Sequence, residues 1–179
     1  NNAVEMLESS TPGLYLMVDG FQGYDKLKNV KRCACYAHIR RYFLDAIPKG
    51  SEKDLSNPAV QGVAYCDKLF RYERIYKEQG LSHEQRQKRR MKDEKPVVDA
   101  FIKWLDQQKM SASSNKFNKA LTYARNRQDI LLTYLEDGRC SLSNNMSENS
   151  IRPVVVGRKN WLFSDTVGGA EASMGIYTI

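Results

Sequence analysis

The 179-residue sequence predicts an α/β fold interrupted by a large all-helical insertion, on three observations. Leu14-Tyr15-Leu16-Met17-Val18 is a short apolar run ended by Asp19-Gly20, the pattern of a strand buried on both faces. Val30 to Cys35 reads as a second short strand. Residues 51–138 hold little that prefers strand and much that recurs at helical spacing.

Taken in order, residues 1–13 read as a helix remnant and a turn at Thr11-Pro12-Gly13, and the first strand follows. Phe21 to Lys28 is a short helix or turn, and the link to the second strand is long enough for a parallel crossover. Tyr36 to Ile47 is a helix whose core face carries Ile39, Phe43 and Ile47, so Arg40 and Arg41 point away from the core. Pro48-Lys49-Gly50-Ser51 breaks it. Asn57 to Gly80 is a long amphipathic helix ended by its glycine. Ser82 and Gln85 form a capping box, Gln85 to Glu94 is highly charged, and Pro96 starts another helix with Val97, Phe101 and Trp104 on its face. A last insertion helix runs from Lys116 to Glu136. The aromatic side chains of this region are read as core, and Arg86-Gln87-Lys88-Arg89-Arg90 as phosphate contacts or a solvated face.

A hydrophobic content of 41% with ten tyrosines excludes a disordered chain. No apolar run approaches the ~20 residues of a membrane helix, and no signal peptide is recognisable, so no membrane partner and a cytoplasmic setting are expected. The formal charge of +7 is uneven. Residues 1–25 carry four acids and no Lys or Arg, whereas residues 26–50 carry seven cations against Asp45 alone. A cationic block beside an acidic strand end lets a polyanion approach carboxylates, although a basic surface also serves solubility. Cys33-x-Cys35-x-x-His38 lacks the spacing and the fourth ligand of structural zinc, and the four cysteines read as free thiols.

Two carboxylates stand in chemically suggestive settings. Asp19 ends a buried strand, where open α/β sheets place ligand groups, though an Asp before Gly is also an ordinary turn. Glu148 lies three residues after Asn145, as a capping-box acid follows its N-cap, so it belongs to the first turn of a helix. Capping and metal binding compete for that one side chain. Arg152 falls four residues later on the same helical face, and Pro153 ends or redirects the helix toward Arg158, Lys159, Asn160 and Trp161. These residue types clamp a phosphate backbone and stack on an unpaired base, while Trp161-Leu162-Phe163 also fits a core strand. His38, in a helical first turn, is able to hydrogen-bond a carboxylate, contact DNA or pack.

Four blocks resemble the insertion-sequence-66 family of bacterial transposases, in the family's order. They are Val18-Asp19-Gly20-Phe21-Gln22-Gly23-Tyr24, Cys35-Tyr36-Ala37-His38-Ile39-Arg40-Arg41-Tyr42-Phe43, Asn145-Met146-Ser147-Glu148-Asn149-Ser150-Ile151-Arg152-Pro153, and Gly157-Arg158-Lys159-Asn160-Trp161-Leu162-Phe163. The resemblance implies a partial RNase H-like catalytic core from residues 1–50 and 139–179, split by the helical insertion 51–138. It also implies an Asp-Asp-Glu site in which Asp19 matches the second Asp and Glu148 the Glu. Both would be metal ligands, with His38 beside them. The family's first Asp has no match before Asp19, and its last helix continues past Ile179, so the chain is expected to be a fragment, inactive alone.

The expected activity is metal-dependent DNA strand cleavage and strand transfer. Two Mg²⁺ or Mn²⁺ ions would serve the complete site, because these hard cations take carboxylate oxygens. Arg40, Arg41, Arg152, Arg158, Lys159, Asn160 and Trp161 would hold DNA. The partners implied are double-stranded transposon ends and target DNA, with a homo-oligomer assembled on DNA and the protein at the nucleoid when bound. The rival readings are a non-catalytic DNA-binding remnant and a helical scaffold for another protein.

Overall fold

The computed structural model describes residues 14–18 and 30–143, all within one of the chain's two units, Asn1–Ser143. Two strands, β1 (Leu14–Val18) and β2 (Val30–Ala34), pair in parallel, with Leu14 opposite Val30 and Val18 opposite Ala34. The expected burial of β1 on both faces is not found. Leu14 is 39% exposed, Tyr15, Leu16 and Met17 are half-buried, and only Val18 is fully enclosed. One cause is visible on the sheet's open side, where Lys31 lies opposite Tyr15 and both bond the Glu136 carboxylate. A strand face that carries this polar trio stays in water.

Helix α1 (Tyr36–Asp45) leaves β2 after the single residue Cys35, and buries Tyr36, Ile39 and Phe43 at three- and four-residue spacing. Helix α2 (Pro58–Glu78) begins with the Asn57 side chain accepting from the Ala59 N–H and with proline at its first position. It ends in a Schellman motif. Gly80 takes φ +62°, its N–H donates to the Lys77 carbonyl, and the Leu81 N–H donates to the Tyr76 carbonyl.

The Ser82–Gln85 capping box opens α3 (His83–Arg89), with both reciprocal hydrogen bonds made. Pro96 stands in the first turn of an α-helix, as expected. The chain enters it already helical, through a π turn at Arg90–Glu94 that runs into α4 (Lys95–Gln107). The wider π turn absorbs the missing proline N–H and relieves its ring against the preceding turn. Helix α5 (Asn115–Arg125) is capped by the Ser114 hydroxyl, and here the predicted helix to Glu136 stops short. Residues 126–136 fold instead as two 3-10 turns, Gln128–Ile130 and Thr133–Glu136, which put Ile130, Leu131, Tyr134 and Leu135 into the core. Their apolar spacing suits one continuous helix, so periodicity alone did not reveal the break.

One hydrophobic cluster runs from Val18, Cys33 and Ala34 through Phe43 to Val98, Phe101, Leu121 and Leu142. Helix α1 is its pivot. It packs on α2 where Gly62 meets the Phe43 ring, and on α5. Among the described residues, no helix is long and apolar enough to cross a membrane.

Candidate functional site

The parallel pairing brings three chain segments to one edge. β1 ends at Val18, opposite Ala34 at the end of β2. Cys35 then caps α1 without a side-chain hydrogen bond, which leaves the first-turn N–H groups to other acceptors. The Tyr36 N–H finds its acceptor in the Leu142 carbonyl, at 3.0 Å. Val18, Ala34, Tyr36 and Leu142 are all buried in the same cluster. In sequence, Asp19 follows Val18 directly and Glu148 lies six residues beyond Leu142. Asp19 and Glu148 themselves lie outside the described residues, as do Arg152, Arg158, Lys159, Asn160 and Trp161.

The described candidates sit on α1. His38 is half-buried in its first turn, two residues after the N–H bonded to Leu142. Arg40 turns to α2, where its Nε meets Asp67 Oδ1 at 2.5 Å, a hydrogen bond that raises its pKa further. Its charge is therefore offset locally. Arg41 is exposed and makes no ion pair among the described residues. The two adjacent arginines are thus chemically unequal, which their adjacency in sequence did not show.

Among the described residues no group of three or more His, Cys, Asp or Glu side chains is placed to hold a metal ion. The thiols of Cys33, Cys35, Cys66 and Cys140 are buried and not joined in disulfides. Cys33 on β2 lies beside Cys140, and the interaction of the two thiols raises the Cys33 pKa, with burial adding to the rise, and lowers that of Cys140. This contact gives the segment leading toward Glu148 a second tie to the sheet.

A buried ionic network, missed from sequence, ties the same segment to α2. Arg90 was read as a phosphate contact or a solvated residue, yet its side chain is wholly enclosed. Its guanidinium grips Glu73 of α2 through Nε and Nη2 at 2.7 and 2.8 Å. The remaining N–H groups reach the carbonyls of Tyr134, Asp137 and Cys140 at 3.1, 3.0 and 2.7 Å. Five donors have five acceptors, the condition under which a buried guanidinium is tolerable. Glu94, one π turn along, is also fully buried and accepts from the Tyr134 hydroxyl at 2.7 Å. Burial first, and the Glu73 carboxylate second, push its pKa up to about 8. The Glu94 Oε1 is buried with no hydrogen-bond partner among the described residues. The helical spacing of Glu73, Arg90 and Glu94 carried no signal beyond a charged stretch.

The profile of the transposase IS66 family matches residues 1–172. The chain belongs to that family. Among similar proteins, the uncharacterized protein y4hP of Sinorhizobium fredii (strain NBRC 101917 / NGR234) is 32% identical over 81% of this chain and 28% of its own length. Two others from that strain, y4qI and y4jD, are each 27% identical, over 92% and 87% of this chain and 31% of theirs. This IS66-family chain therefore spans under a third of the length of the relatives it matches. No solved structure matches it.

Proposed function

We propose that this chain supplies part of the catalytic core of a metal-dependent transposase, which cuts DNA strands and joins them to a target. In this reading Asp19 and Glu148 are two carboxylates of an Asp-Asp-Glu site. The core is RNase H-like, formed by residues 1–50 and 139–179 around the helical insertion 51–138. One observation carries the reading. The residue before Asp19 and the segment before Glu148 meet at the same end of a parallel sheet, joined through Ala34 and the Tyr36–Leu142 hydrogen bond. That is the end at which open α/β sheets hold their ligands.

Carboxylate oxygens fit Mg²⁺ or Mn²⁺, and two such ions would activate an attacking oxygen and stabilise a leaving one. In the reaction assigned, water opens a phosphodiester and leaves a 3′-hydroxyl, which then attacks a target phosphate. No covalent protein intermediate is required. Asp19 and Glu148 supply the anionic ligands, and His38 stands near them on α1 as a positioning residue. Arg41, Arg152, Arg158 and Lys159 hold phosphates, with Asn160 and Trp161 beside them. Arg40 joins them once DNA displaces Asp67. The complete protein works on transposon ends and target DNA as a homo-oligomer, in the cytoplasm at the nucleoid.

The test is strand cleavage and transfer on transposon-end DNA with Mg²⁺, in the complete protein. Asp19→Ala and Glu148→Ala should each reduce both steps to background while leaving DNA binding. Activity surviving in either variant would refute the two-acid assignment.

A further inference from the structure

Helix α2 and the run from the π turn into α4 leave an open groove of about 640 Å³ between them, on a part of the chain given no role above. Its α2 wall presents Tyr65, Lys68 and Tyr72, and its other wall presents Lys92 and Asp93. Residues 65, 68 and 72 are three and four positions apart, so ring, cation and ring follow one another along a single helical face. Both rings are held in place. Tyr65 lies 5.3 and 5.7 Å from the rings of Phe101 and Trp104, and Tyr72 stacks on buried Tyr76 at 6.2 Å. Held rings lose little freedom when something stacks on them.

The charge in the groove is not balanced internally. Asp93 is already engaged by Arg89 at 2.9 Å and by the Tyr76 hydroxyl at 3.2 Å. On the same walls Asp67, Glu73 and Asp99 are held by Arg40, Arg90 and Lys95. Lys68 and Lys92 are exposed and make no ion pair among the described residues. Two fixed rings that flank one uncompensated ammonium group, with a second on the other wall, suit a ligand with flat faces and anionic links. A duplex offers only its phosphates to such a cleft, because its bases are stacked on each other.

We propose that this groove binds an unpaired stretch of DNA, with bases against Tyr65 and Tyr72 and phosphates on Lys68 and Lys92. The proposal rests on DNA being the partner, and assigns the helical region a grip on single-stranded segments exposed around the cut. It is independent of the acids that would do the cutting.

The probe is a 15-nucleotide single strand carrying one 2-aminopurine, mixed with the complete protein without divalent metal. Affinity is read by anisotropy and stacking by quenching of the 2-aminopurine. Tyr72→Ala should weaken binding at least about fivefold, the lower end for one lost base–aromatic stack, and reduce the quenching. Tyr72→Phe should restore both. The double variant Lys68→Gln, Lys92→Gln, at two exposed positions, should lower the slope of log affinity against log salt by about 1.4, two contacts' worth. A fully paired duplex should not respond to Tyr72→Ala. Unchanged quenching in a folded Tyr72→Ala protein, equal losses for single strand and duplex, or an unchanged salt slope in the lysine variant would each overturn the proposal. Cleavage by Asp19→Ala protein separates the two readings. If that variant still cuts while the groove variants lose the single strand, the two-acid site fails and the groove stands.

Discussion

Glu94 is a carboxyl group kept from water, with Glu73 and Arg90 of the same network, and the Tyr134 hydroxyl, packed against it. Its folded pKa of about 8 lies above the ordinary 4.5, so the folded chain keeps a proton that the unfolded chain releases. The contribution of Glu94 to stability is therefore full below about pH 4.5 and falls as pH rises toward 8, by about 1.4 kcal/mol per unit while the two states differ by one proton. Glu94→Gln keeps the shape and a hydrogen-bond donor but cannot ionise. Its melting temperature should stay level from pH 5 to 8, while that of the parent protein drops by several degrees. Parallel pH profiles for the two proteins would show that Glu94 is not the group responsible. Nothing in the Arg89-Arg90-Met91-Lys92-Asp93-Glu94 stretch announced that two of its charges are enclosed. The π turn puts Arg90 and Glu94 on the inward side, and π geometry has no signature that hydrophobic periodicity detects.

At the level of elements, α1 is held where Phe43 lies over Gly62 of α2. A Cβ on Gly62 would come within 2.6 to 2.8 Å of three atoms of the Phe43 ring, which is wholly buried and already faces Phe101, Trp104 and Phe117. Gly62→Ala gains about 1 kcal/mol in helix propensity and loses about 1–3 kcal/mol to overpacking. The net expectation is a protein less stable by about 1 kcal/mol, measured as a lower urea midpoint; a higher midpoint would mean that the ring has room to move. Helix ends were readable, because their signals are local. Ser82 with Gln85, and Gly80, were each placed from sequence and each make the expected bonds. Local patterns failed where a distant group decides the end. The Arg125 guanidinium, for instance, reaches back to the Leu105 and Gln108 carbonyls at the close of α4.

Across the whole molecule, Arg90 joins pieces far apart in sequence: Glu73 on α2, its own π turn, and the carbonyls of residues 134, 137 and 140. Arg90→Ala leaves a carboxylate and three carbonyls without partners, and should destabilise the protein by about 3–5 kcal/mol in urea unfolding. Arg90→Lys should recover only a minor part, since an ammonium cannot fork to Glu73 and span three carbonyls. A Lys variant as stable as the parent would reduce the network to simple charge pairing. The parallel strands, the helical stretch and the family were legible because blocks of residues carry them. The meeting of Val18, Ala34, Tyr36 and Leu142 was not, since no local rule pairs Tyr36 with a carbonyl more than a hundred residues on.

That last bond also sets an order of events. The first turn of α1 is made before its acceptor at Leu142, which emerges only after the intervening helices. Contacts of such long sequence separation form slowly, after local helices have condensed. That edge of the sheet therefore cannot close on a ribosome until every residue through Leu142 has emerged.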